Sequence, residues 1–173
     1  MYFVIFVFTG KEETTINNIT KHIDPNLYDD IFSPCTEKLI KVKKKWVKDT
    51  KKMFPGYIFV ETNDPKAFSD SLYFIPGFKK LLGNNEDVFY PLTDIETETI
   101  NKLVNKENDY VVKTSIIKIH EGKQIEIIDG PLKGVSGNVK KIDVHKRVAY
   151  VEIEMAGRLC VTQLGVEILA EKE

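Results

Sequence analysis

Two turns written in proline and glycine constrain this chain more than anything else in it. Met53-Phe54-Pro55-Gly56-Tyr57-Ile58-Phe59-Val60 leads an aromatic turn straight into an apolar strand. About eighty residues later, Gly130-Pro131-Leu132-Lys133-Gly134-Val135-Ser136-Gly137 spaces three glycines through a second reversal. Proline fixes φ and glycine reaches backbone conformations that other residues avoid, so the chain must turn at both places. The patterns around them differ. Helical and extended periods alternate around the first, whereas only short strands surround the second.

The continuous apolar run Tyr2 to Phe8 suits a strand buried on both faces, and Thr9-Gly10 breaks it. Ile16, Ile19 and Ile23 then recur at helical spacing behind Glu12-Glu13, acids that favour a helix N-terminus, and Asp24-Pro25 ends that helix. Tyr28 to Phe32 is extended. Eight lysines and one acid, Asp49, occupy 38–52, which predicts a hairpin or long loop exposing its lysines. Ile58 to Val60 is a central strand, Pro65 to Phe74 a short helix, and Ile75-Pro76-Gly77-Phe78 its closing turn. A helix follows Pro91, capped by Thr93 or Asp94, with Ile95, Ile100, Leu103 and Val104 facing inward. Asn105 to Asp109 is polar and reads as a linker. Beyond it, strands are predicted at 124–128, 137–144, 148–155 and 158–161, with turns at Asp129-Gly130-Pro131, His145-Lys146-Arg147 and Ala156-Gly157. Regular short strands of this kind indicate a small β-barrel of the SH3 type. Its glycines Gly130, Gly134 and Gly137 are expected to supply positive φ or close backbone approach.

The 173 residues carry a formal net charge of −1, so any nucleic-acid contact must come from local clustering rather than a global field. Cys35 and Cys160 lack metal-ligand spacing and are expected to be unbridged thiols. The apolar start has no basic flank and is too short for a membrane span, so a cytoplasmic protein with no membrane partner is expected. His22, His120 and His145 are scattered without a nucleophile at a recognisable spacing, and no phosphate-binding glycine loop is present. A non-enzyme without cofactor or metal follows.

Phe54-Pro55-Gly56-Tyr57, the opening strand with Thr9-Gly10-Lys11-Glu12, Ser33-Pro34-Cys35-Thr36-Glu37 and Ile75-Pro76-Gly77-Phe78 together resemble the N-terminal domain of NusG-family transcription factors. Glu121-Gly122 through Gly137 resembles a KOW motif, so the likeness covers nearly the whole chain. The resemblance implies an α+β N-terminal (NGN) domain at 1–104, with an antiparallel sheet flanked by helices, a linker at 105–117, and a small SH3-like KOW barrel at 118–173. It also implies a monomer whose first domain docks on the clamp helices of RNA polymerase. The matching positions are Phe54 and Tyr57, with Tyr2 and Phe6 beside them. Aromatic anchors on a rigid turn are physically suited to such a contact.

Housekeeping members of the family end in glycine-arginine, then threonine-proline-valine-glutamate. Here the chain has Gly157-Arg158-Leu159-Cys160-Val161-Thr162-Gln163-Leu164-Gly165-Val166-Glu167. This variant most resembles the specialised antiterminator paralogs of the LoaP type. That resemblance implies a structured RNA hairpin in a nascent leader transcript as partner. Lys123, Lys133, Lys140, Lys141, His145, Lys146, Arg147 and Arg158 are its candidate contacts, supported by Lys41, Lys43, Lys44 and Lys45. Lysines and arginines on barrel loops suit the reading of double-stranded RNA through phosphates and shape. Two other readings stand beside it: a general NusG factor whose barrel binds a ribosomal protein or Rho, and a fold-switching regulator resembling RfaH.

Overall fold

A computed structural model describes residues 1–77, 79–83 and 86–170. In chain order the elements are β1 (Tyr2–Val7), α1 (Glu12–His22), β2 (Asp30–Phe32), β3 (Cys35–Val42), β4 (Lys45–Lys52), β5 (Tyr57–Glu61), α2 (Pro65–Leu72), β6 (Lys79–Leu81), α3 (Asp94–Leu103), β7 (Val111–Val112), β8 (Ser115–Ile119), β9 (Ile125–Asp129), β10 (Val139–Asp143), β11 (Val148–Met155) and β12 (Arg158–Ile168). They form two compact units. One comprises 1–33, 54–97 and 155–158; the other comprises 34–53, 98–154 and 159–173.

The first unit is built on an antiparallel sheet of order β2-β5-β1-β6. Alternation along β1 and β5 sends Phe3, Ile5, Val7, Ile58 and Val60 to one face, where they join Ile19 and Ile23 at α1 and Phe68 and Leu72 of α2 in one buried cluster. Asp64 caps α2, its carboxylate accepting from the Ala67 N–H at 3.0 Å, with Pro65 at the first helical position. That helix stops at Leu72, short of the expected Phe74. Tyr73 and Phe74 lie beyond it at 85% and 83% exposure. Gly77 takes φ +93° in the following turn; Phe78, the last residue of that expected motif, lies outside the described residues.

Glu12 does more than meet the helix dipole. Only 2% exposed, its carboxylate accepts from the Gly10 N–H at 2.8 Å and from the Gly56 N–H at 2.7 Å. One buried acid therefore joins the turn after β1 to the Pro55-Gly56 turn before β5. The Val7 N–H completes the junction by donating to the Gly56 carbonyl at 2.9 Å. Gly56 itself sits at φ +83°, and a Cβ there would lie 3.0 Å from the Val7 carbonyl oxygen. No residue but glycine suits that turn.

Ile95 departs from its expected inward position and is 77% exposed. At about 100° per residue, the position that falls in line with buried Ile100 is Glu96, one turn earlier, and Glu96 is buried. Thr93 and Glu96 form the reciprocal cap of α3: the Thr93 N–H donates to Oε2 of Glu96 at 2.8 Å and the Glu96 N–H to the Thr93 hydroxyl at 3.2 Å.

The second unit contains a sheet of order β4-β3-β7 and a five-stranded sheet, β10-β11-β12-β8-β9, curled into a half-barrel. The polar stretch expected as a linker is ordered. Asn105 and Asn108 cap a 3-10 turn over Lys106–Asn108, and within 105–117 β7 pairs with β3 while β8 joins β12 in parallel. The strand expected at 158–161 continues to Ile168. Of the three KOW-like glycines, Gly130 alone takes positive φ, +100°, pressed against Ser115; Gly134 and Gly137 lie in a 3-10 stretch, Pro131–Asn138, outside the left-handed region. Cys35 and Cys160 are half-buried thiols. Among the described residues no helix is long and apolar enough to cross a membrane.

The β3–β4 hairpin is seated on β12 through several contacts. Lys38 Nζ donates to Gln163 Oε1 at 3.2 Å, Lys48 Nζ lies 3.3 Å from Glu167 Oε1, and the Thr162 hydroxyl donates to the Met53 carbonyl at 3.3 Å. Gly165 makes this approach possible, since a Cβ there would fall 2.4 Å from the Glu37 carbonyl oxygen.

Two outcomes follow for stability. Glu12→Gln should lower the unfolding free energy in urea by about 2–3 kcal/mol, because an amide replaces a carboxylate that accepts two charge-assisted bonds. Gly165→Ala should cost about 1–3 kcal/mol by overpacking, whereas Gly137→Ala, with open space around it, should change stability by less than about 1 kcal/mol.

Candidate docking face and nucleic-acid interface

The face of the first sheet opposite its core carries the aromatic residues of the first motif. Phe6 meets Tyr57 edge-on at 5.1 Å, Tyr57 lies 6.2 Å from Phe54, and Phe54 lies 6.0 Å from Phe59. Phe59 stacks on Phe32 at 5.5 Å, and Phe32 meets Tyr2 edge-on at 5.8 Å. The run is continuous from Phe6 to Tyr2. Pairs at these separations add to what burial alone supplies.

Exposure divides these residues. Phe54 is 4% exposed and so offers no accessible ring to a partner, contrary to its expected place at a contact surface. The Phe54 ring is buried against Tyr57 and Phe59, just ahead of the left-handed turn at Gly56. Tyr57, Phe6 and Tyr2 are half-buried and keep an accessible edge. The Ser33 hydroxyl donates to the Tyr57 carbonyl at 3.0 Å, fixing the backbone of that ring. Burial raises the Tyr2 phenol above its ordinary pKa, with the Glu61 and Asp30 carboxylates adding to the effect.

Arg158 also belongs to this first unit. Its guanidinium lies over the Phe6 ring, 5.6 Å from the centroid, and the neighbouring Gly157 N–H donates to Glu96 Oε1 at 3.3 Å. In the chain, Arg147 precedes β11 while Arg158 follows the turn at that strand's far end.

The basic residues of the second unit gather unevenly. Lys43 and Lys44 form the two-residue turn of the β3–β4 hairpin, both with positive φ (46° and 66°), a turn that usually selects asparagine and glycine. It leaves Lys41, Lys43, Lys44 and Lys45 exposed at one tip. Along the hairpin's shaft the charges are matched: Lys48 pairs with Glu37 and Glu167, and Lys51 with Asp49. Among the described residues the four tip lysines make no salt bridge.

The hairpin tip is joined to the β10–β11 turn by Trp46. Its ring lies 4.8 Å from the Arg147 guanidinium carbon and 5.8 Å from Lys41 Nζ. Lys41 and Trp46 face each other in register. The Asp143 carboxylate accepts from the Lys146 N–H at 3.0 Å, which holds the Asp143 carboxyl below its usual pKa and shapes the His145-Lys146-Arg147 turn. Arg147 sits at φ 55°, its carbonyl accepting from the Val166 N–H at 3.0 Å. Lys41, Lys146, His145 and Arg147 are thus brought to one region by two separate turns. Lys141 is near it on β10, whereas Lys140 is paired with Glu152 at 3.0 Å. Lys123 lies in the β8–β9 turn, just ahead of the opposite edge strand of the sheet, and Lys133 in the 3-10 stretch before β10.

Trp46 has the strongest claim among the residues that the sequence did not single out. It is the chain's one tryptophan, set among lysines, and its partner is a hundred residues away, so only hairpin register and tertiary packing reveal the cluster. Among the described residues no group of three or more histidine, cysteine or acidic side chains is placed to hold a metal ion.

Comparison with known proteins is consistent with this architecture. The NusG family pattern, described as transcription termination factor nusG, matches residues 1–101. The transcription termination/antitermination protein NusG of Haemophilus influenzae is 24% identical over 94% of this chain and 89% of its own length; that of Escherichia coli is 23% identical over 94% and 91%. A solved structure of Thermotoga maritima NusG, described by its domain interaction, shares the fold with a TM-score of 0.57 at 23% identity, covering 95% of this chain and 92% of that one. With more than half of its length matched to the family and its fold shared with a solved member, the chain belongs to the NusG family of non-enzymatic transcription termination/antitermination factors.

Proposed function

We propose that this chain is a specialised NusG paralog of the LoaP type, an antiterminator that grips RNA polymerase through its first unit and a structured leader RNA through its second. The observation that carries the reading is that Lys41 from the β3–β4 hairpin and Arg147 from the β10–β11 turn both lie against the Trp46 ring. Two basic elements from distant parts of the sequence converge, although the chain's net charge is only −1. Fixed cations on two neighbouring projections suit a duplex, whose phosphates line both sides of a groove, better than they suit a flat protein surface. Lys43, Lys44, Lys45, His145 and Lys146 widen that surface. Lys141 extends it, while Lys123, Lys133 and Lys140 stand as outlying phosphate contacts.

Polymerase docking falls to the aromatic face. Tyr57 supplies the anchor, Phe6 and Tyr2 flank it, and buried Phe54 holds it in place. The clamp helices of the polymerase are the expected partner. Binding a hairpin in the nascent transcript would raise the local concentration of this face at one polymerase, which restricts read-through to chosen operons.

Two experiments test the halves separately. Arg147→Ala combined with Lys41→Ala should weaken binding to a structured leader RNA by about tenfold or more and reduce the steepness of its salt dependence. A wild-type chain that binds such RNA no better than a single-stranded control in a gel shift would remove RNA from the reading and leave a protein partner for the half-barrel. Tyr57→Ala should abolish read-through in a reconstituted transcription assay while shifting the melting temperature little. Phe54→Ala should instead destabilise the chain by about 3–5 kcal/mol; equal effects on folding from both would make Tyr57 a structural residue.

A further inference from the structure

We infer that Trp46 is a positioning residue of the RNA surface, holding the Arg147 guanidinium in a preset place, so that the β3–β4 hairpin is part of the RNA reader. This rests on the proposed RNA partner. The geometry is specific: the Arg147 guanidinium carbon is 4.8 Å from the indole centroid and Lys41 Nζ is 5.8 Å from it. A tryptophan face attracts a cation more strongly than other aromatic rings, and it does so without accepting a conventional hydrogen bond. The guanidinium therefore keeps its N–H fork for a phosphate or a base edge.

Both members of the pair are anchored from behind. Arg147 is fixed by its left-handed backbone and by the Val166 N–H that its carbonyl accepts, next to a turn closed by Asp143. Trp46 is fixed by its register opposite Lys41 and by a hairpin seated on β12 through Lys48–Glu167, Lys38–Gln163 and the close approach at Gly165. Val166, Glu167, Gln163 and Gly165 all belong to β12. A single strand thus sets the distance between the arginine and the ring. An arginine ordered before binding gives up less side-chain freedom when it meets its ligand. Among the described residues, Lys43, Lys44 and Lys45 at the tip have no such ring beneath them and contribute charge without fixed direction, whereas Lys41 shares the Trp46 face.

Because Trp46 is the chain's one tryptophan, the unmodified full-length protein reports on the site through its own fluorescence. The probes are a fully paired RNA stem-loop and a single-stranded oligouridylate. The stem-loop should change the tryptophan emission with the same midpoint as its gel shift, and the oligouridylate should change it only at much higher concentration. Trp46→Leu should weaken stem-loop binding by about tenfold, and Trp46→Phe should recover most of the loss. Arg147→Lys, which keeps the charge, should behave like Arg147→Ala. Trp46→Leu added to Arg147→Ala should cause little further loss, because the two side chains act as one unit.

Emission that stays constant at saturating stem-loop overturns the inference while leaving RNA binding intact. So does a Trp46→Leu chain that binds as the wild type does, or full additivity of the two losses. Absence of any stem-loop binding by the wild type removes the RNA reading and this inference together. Should Trp46→Leu unfold the hairpin, the emission change of the wild type and the Arg147→Lys comparison still decide.

Discussion

The first unit depends on one buried carboxylate. Glu12 receives amide hydrogens from Gly10 and Gly56, two turns that lie 46 positions apart in the chain. Both turns use glycine backbone conformations, and in both the glycine N–H finds its acceptor in the Glu12 carboxylate. Charge-assisted acceptance by this helix-borne acid sets α1 against the end of β1. The consequences reach the surface. Gly56 is held at φ +83°, and directly after it Tyr57 begins β5 with its ring against Phe6 and beside the buried Phe54. The polymerase face proposed for this chain is thus the outer consequence of an inner electrostatic junction.

The second unit depends on steric closeness rather than charge. β12 lies between β11 and β8 in the five-stranded sheet and carries the residues that meet the β3–β4 hairpin. Gly165 lets two backbones approach to a distance that a methyl group would forbid. Around it, Lys48–Glu167 and Lys38–Gln163 fix the angle of the hairpin. Exposed pairs of this kind contribute little to stability on their own; their effect is to select one register of contact. A glycine and two polar pairs therefore decide where the lysine-rich tip is presented.

Much of this was legible in the residue pattern. Period changes located α1, α2, α3 and most strands, because burial on one face imposes a period that sequence must obey. The misses share a cause. Ile95 reads as core by composition, yet helical geometry gives the inward position to Glu96, which is tolerated there because the cap of α3 and Gly157 satisfy its oxygens. Phe54 was recognisable as part of a motif, but its burial is a matter of tertiary packing against Tyr57 and Phe59, which the motif does not spell out. Arg147 and Arg158 looked equivalent as basic residues near the C-terminus; eight residues of β11 separate the turns that carry them, and each found a different aromatic ring. Trp46 and Gly165 were silent because their partners are remote in sequence.

Charge distribution carries the last step. A chain with formal charge −1 cannot draw a polyanion from a distance, and at physiological salt fields fade within about 8 Å. Along the hairpin shaft the lysines are matched by Glu37, Asp49 and Glu167, which leaves the unmatched charge at the tip and at the turn beside it. Such a surface favours partners already held nearby and presenting the right shape over any passing nucleic acid. For the polymerase-bound antiterminator proposed above, this would be the useful regime: a nascent transcript would be tethered close by, so weak long-range attraction would cost nothing and discrimination would rest on the short-range fit between two basic turns and a duplex.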